Sequence, residues 1–106
     1  MILTTVNEVP GKKIIKTIGL VRGNTIRARH IGNDILAGLK TIVGGEITED
    51  TKLMAESREQ AIDRMLAEAK RLNANAIIGI SFTTSVIMGG AAELLAYGTA
   101  VIIEDE

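Results

Sequence analysis

His30 is the single histidine of a 106-residue chain that contains no cysteine. Asp34 lies four positions on, and an i, i+4 spacing sets an imidazole and a carboxylate side by side on one helix face. Such a pair supplies two positions on a metal ion. It is not a site by itself, because a stable ion needs further ligands, from elsewhere in the chain or from a second subunit. The structural alternative has Asp34 bonding backbone or an arginine near the helix start, with His30 capping or packing. Met1, Met54, Met65 and Met88 offer thioethers, soft donors that suit copper(I). They are scattered, and Met65 falls on an apolar stripe, where methionine fills core. Without cysteine there is no thiolate chemistry, no disulfide and no cysteine-type zinc site.

Catalytic groups are as sparse. A Ser-His-Asp set would have to use His30, and no serine sits in a Gly-x-Ser-x-Gly turn. Glu46 with Glu49 or Asp50 would pair carboxylates for acid-base work, yet neighbouring surface acids are as a rule solvated. Gly44-Gly45 and Gly89-Gly90 are not followed by Lys-Ser/Thr, so they read as a helix stop and a hairpin turn rather than phosphate loops. No catalytic residue set is found, and neither enzymatic activity nor a bound cofactor is expected. Twelve basic residues against thirteen acidic ones give a net charge of −1, with no overall pull on nucleic acid. One Phe, one Tyr and no Trp leave almost no platform for base stacking. No apolar run reaches membrane-spanning length, and Met1-Ile2-Leu3 passes at once into Thr4 and Thr5, unlike a signal peptide. Nucleic acid and membrane are not expected partners, and the expected location is the cytoplasm. Lys12, Lys13, Lys16, Arg22, Arg27 and Arg29 crowd the first third, with Glu46, Glu49, Asp50, Glu56, Glu59 and Asp63 after them. Complementary patches between subunits, a small anionic ligand at an interface, or plain solvated faces all fit that pattern.

The elements that must position these residues follow from periodicity. Met54, Ala61, Ile62, Met65, Leu66, Ala69 and Leu72 recur at steps of three and four, which predicts a long amphipathic helix from about Thr51. Lys70 and Arg71 suit its last turn, and Asn73 its left-handed stop. A second helix is predicted over 31–42, with Ile31, Ile35, Leu36, Leu39, Ile42 and Val43 as its stripe. Strands are predicted over 13–22, 77–87 and 93–103, after a short N-terminal strand over 2–6. Gly23-Asn24 reads as a turn. Strict alternation puts Ile78, Ile80 and Phe82 on one face of their strand, and Ala96, Gly98 and Ala100 make a small-residue face on the last one.

Length and pattern together predict one domain over residues 1–106. Its expected fold is α+β, a two-layer β-α-α-β-β arrangement. The sheet would be three-stranded and antiparallel in order 1-3-2, with both helices on one face and the short N-terminal strand as an addition. The chain is 46% hydrophobic with a mean hydropathy of +0.25, high for a small monomer. The second sheet face would then need a partner subunit to cover it.

Arg29-His30-Ile31-Gly32-Asn33-Asp34-Ile35-Leu36-Ala37-Gly38-Leu39, followed by Ile42-Val43-Gly44-Gly45-Glu46, resembles the hallmark segment of the YbjQ-like family. The resemblance continues through Arg58-Glu59, Asn73-Ala74-Asn75-Ala76-Ile77-Ile78-Gly79 and Tyr97-Gly98-Thr99-Ala100-Val101, so it covers nearly the whole chain. The family usually has Gly at the position of Asn73 and often Tyr at that of Asp50. The resemblance implies a dodecin-subunit-like fold assembled as a homopentamer, with short strands joining neighbours. It also carries a label of heavy-metal binding. The expected function is therefore a pentameric ring with no catalytic site that binds a small ligand or a partner. The alternative is a heavy-metal-binding protein with His30 and Asp34 as ligands at subunit interfaces.

Overall fold

Residues 1–27, 49–87 and 91–106 are described by the computed structural model. Strand β1 spans Ile2–Leu3, β2 Lys12–Arg27, helix α1 Glu49–Arg71, β3 Ala76–Ile87 and β4 Ala91–Asp105. The helix predicted over 31–42 and the glycine pairs at 44–45 and 89–90 lie outside the described residues.

Helix α1 buries the face its spacing predicts: Ala61, Met65 and Ala69 are inaccessible to solvent, and Ser57 nearly so. It ends as a Schellman motif. The Ala74 amide donates to the Ala69 carbonyl at 3.0 Å, and the Asn73 amide to Lys70 at 3.0 Å. Asn73 takes a left-handed φ of 64° to make this possible. Asn75 then ties the turn into the sheet. Its side-chain amide donates to the Ile103 carbonyl at 2.8 Å and accepts from the Ile103 N–H at 2.7 Å, continuing the ladder one step past β3.

The sheet corrects the expected topology. It has four strands in order β1-β3-β4-β2 and is mixed, not three-stranded and antiparallel in order 1-3-2. β4 is antiparallel to both β2 and β3, but Ile2-Leu3 joins as a full member by pairing in parallel with Ala76 and Ile77. A two-residue strand has no periodicity to read, so its place depends on the long strand beside it. Gly23-Asn24 is not a turn; it lies inside β2. Gly23 is instead where α1 crosses the strand. A Cβ there would sit 2.2 Å from the Ala61 carbonyl oxygen and 2.4 Å from the Met65 amide nitrogen.

The main core lies between α1 and the sheet, built from Val21, Ala61, Met65, Ala69, Ala74, Ile77, Ala96 and Ala100. The small face of β4 meets the helix as its alternation requires. On the other sheet face Ala76, Ile78, Val101 and Ile103 form a second cluster. Val9, from the chain's own connection between β1 and β2, packs on it. That face is thus partly self-covered at one end.

Strict alternation fails at three register shifts, one between Ile14 and Lys16 and two that re-aim core residues. In β3 the register slips between Ile78 and Ser81, where Gly79 has φ 60°. This bulge puts Ile80 on the core side with Ile77, while Ile78 stays on the opposite face. In β2 a slip between Thr17 and Gly19 likewise puts Ile18 beside Val21 on the helix side.

Candidate functional site

The Gly79 bulge builds a groove that the sequence pattern hides. Turned onto the helix side, Ile80 and Phe82 face Ile62 and Met65 of α1 across a space of about 410 Å³, with Leu3, Thr4 and Thr5 closing one end. Volumes of this order hold small ligands. Parallel pairing of the N-terminal residues positions that end: the Thr4 amide donates to the Ile77 carbonyl at 3.0 Å, and the Ile80 amide to the Thr4 carbonyl at 3.1 Å. The Thr4 hydroxyl accepts the Val6 amide at 3.3 Å. Met65 is fully buried and forms the floor. Among the described residues the lining holds two threonine hydroxyls and no titratable side chain. It can take an apolar group with a hydroxyl contact. A glycine inside a strand pattern was the available signal for it, since such a glycine marks a bulge that reverses side-chain parity.

Three of the basic cluster, Lys12, Lys13 and Arg27, are engaged within the chain. Arg27 donates from Nε to Ser57 Oγ at 2.6 Å and from Nη2 to Gln60 Oε1 at 2.9 Å. The Thr25 hydroxyl, buried, donates to the Ser57 carbonyl at 3.2 Å. Arg64 reaches back from α1 to the Asn24 carbonyl at 2.5 Å, while the Asn24 side chain bonds Glu93 at 3.1 Å. The bonds of Arg27, Thr25 and Arg64 fasten α1 to β2, and Asn24–Glu93 joins β2 to β4. Lys12 pairs with Asp105 and Lys13 with Glu104, the latter at 3.3 Å, across the β2–β4 ladder. The Lys12 hydrogen bond, with the charge of its ammonium, holds the exposed Asp105 carboxyl below its ordinary range. Lys16 and Arg22 remain exposed.

His30, Asp34 and Glu46 lie outside the described residues, as does Met88. Glu49 and Asp50 are the first two residues of α1. Met65 is core and Met1 is exposed. Met54 borders a small cavity with Thr25, Arg27, Ser57, Thr84, Ala92 and Leu94. Among the described residues no three His, Asp or Glu side chains converge as a metal would need. Among them, too, no helix is long and apolar enough to cross a membrane.

A family model described as "Putative heavy-metal-binding" matches residues 1–104. A UPF0145 protein of Dehalococcoides mccartyi is 62% identical over 104 residues, covering 98% of this chain and all of the relative. A UPF0145 protein of Methanosarcina acetivorans is 52% identical over 103 residues, covering 97% of each. A crystal structure of a protein of unknown function from Pediococcus pentosaceus shares the fold, with a TM-score of 0.61 over 98% of both chains at 19% identity. With whole-chain matches on both counts, this chain belongs to the YbjQ family of UPF0145 proteins.

Proposed function

We propose that this protein works as a homo-oligomer, a pentameric ring without catalytic function that binds a small ligand or a partner. The observation that carries the reading is apolar surface left open on a single copy. Val86 is 86% exposed, Leu20 62%, Ile26 56% and Phe82 45%. Each fully covered side chain of this kind is worth about 1.5–3 kcal/mol, a strong drive toward mutual burial. The groove beside Phe82, with its apolar walls and hydroxyl rim, is the place on the described residues suited to a small apolar ligand. Sedimentation equilibrium and native mass spectrometry at micromolar concentration test the assembly. A mass near five times 11.3 kDa is expected; a monomer would refute the reading.

The second reading is heavy-metal binding, favoured by the description of the matching family model. His30 and Asp34 would be its ligands, supplemented across a subunit interface. Elemental analysis of untagged protein decides it: stoichiometric metal, lost in His30→Ala and Asp34→Ala, is the outcome it requires.

A further inference from the structure

Residues 1–8 lie along β3 without burying a side chain: Thr4 is half-buried and the others are exposed. β1 contributes two register positions, Ile2 against Ala76 and Leu3 against Ile77. The Ile2 amide donates to the Asn75 carbonyl at 3.2 Å, and the Val6 carbonyl accepts the Gly79 amide at 2.9 Å. Since the Ile80 amide donates to Thr4, Gly79 and Ile80 direct consecutive amides at this segment, where a regular strand would alternate them. Val6 and Thr4 thus hold the bulge from outside. On its far side the segment is anchored. The Lys12 amide closes a turn onto the Val9 carbonyl at 3.0 Å, Gly11 takes φ 78°, and the Glu106 amide donates to the Gly11 carbonyl at 3.2 Å. Val9 packs on the second apolar cluster. A stretch whose apolar side chains are already exposed gives up little burial by letting go, which places it at the low-stability end of the molecule.

We propose that residues 1–8 form a strap, hinged at residues 9–11, that releases β3 while the rest of the fold stays intact, and that a small apolar ligand in the groove holds it closed. The ligand half rests on the groove reading above and adds a moving part to it. Leu3, Thr4 and Thr5 belong to the strap, whereas Ile62, Met65, Ile80 and Phe82 belong to α1 and β3. A ligand between them touches both sides at once. Release removes one end of the groove and turns the Gly79 and Ile80 amides from Val6 and Thr4 to water. The ligand therefore binds the closed state more tightly, and by linkage it favours that state to the same degree.

Amide hydrogen exchange reads the strap directly. Ile2, Thr4, Gly79 and Ile80 should exchange as one group, about tenfold or more faster than the slowest amides of the β2–β4 ladder. Protection equal to that ladder overturns the release. The double variant Ile2→Cys with Ala76→Cys fastens the strap away from its hinge. Paired strands lie about 4.8 Å apart, within reach of a disulfide, and the chain has no cysteine of its own. Oxidation should slow exchange at Gly79 and Ile80 about tenfold against the same variant reduced, a comparison that cancels any cost of the substitutions. Unchanged exchange on oxidation overturns the hinge. Nile red, an uncharged apolar dye, then probes the groove. Its binding should slow the same two amides by about tenfold. Dye bound beside Met65, seen in that methyl signal, with Gly79 and Ile80 unchanged overturns the coupling. No dye bound at all overturns the groove reading and the ligand half with it, and leaves the release of the strap to stand or fall on exchange alone.

Discussion

Gly23 and Asn75 show how much structure single side chains hold here. Any Cβ at Gly23 would collide with the Ala61 carbonyl and the Met65 amide, backbone atoms that cannot step aside. Gly23→Ala should therefore lift α1 off β2 and cost about 1–3 kcal/mol or more, read by chemical denaturation. Asn75 fills a ladder position with its side chain. Asn75→Ala leaves the Ile103 N–H and C=O without those bonds, at about 1–3 kcal/mol, and Asn75→Asp restores only the acceptor half. Asp105 sets a pH dependence of known sign. Its folded pKa lies below the unfolded one, so its contribution is present above the ordinary carboxylate range and lost as pH falls through the lowered value. Lys12→Ala should accordingly flatten the acid limb of the melting-temperature profile, a modest effect because the pair is exposed.

At the scale of elements, α1 is held to β2 by two different means. Ala61, Met65 and Ala69 bury an apolar stripe, and Arg27, Thr25 and Arg64 fasten its flank with hydrogen bonds. Met65 reaches both the core and the groove floor. Met65→Ala should cost about 2–5 kcal/mol by the cavity it leaves, with the loss visible as a lower denaturant midpoint at unchanged slope. The bulge at Gly79 matters more for the site than for stability. A β-branched residue there would resist φ 60° at about 1–2 kcal/mol, and Gly79→Val should restore plain alternation, turning Ile80 and Phe82 away from the groove. Chemical-shift changes at Met65 methyl signals would report that rotation.

For the whole molecule, β2 and β4 are 16 and 15 residues long, and the chain extends 50 Å along one axis but only 16 Å along another. Among the described residues one 23-residue helix lies on that sheet, and Leu20, Ile26, Phe82 and Val86 stay exposed. Residue types and spacing alone settled a good deal: the α+β class, the stripe of α1, the left-handed stop at Asn73, the small face of β4 and the β3–β4 hairpin. Each is a local matter, decided by helix or strand periodicity within one segment or by one residue's φ preference. The tertiary structure decided the rest. Parallel pairing of Ile2-Leu3, the passage of β2 straight through Gly23-Asn24, and the parity reversals near Gly79 and Gly19 all depend on contacts between segments far apart in the chain. Periodicity reads a strand as if every residue stepped by one, so a single bulge reverses every face assigned beyond it. The groove arises from that reversal, and for that reason no run of residues announces it.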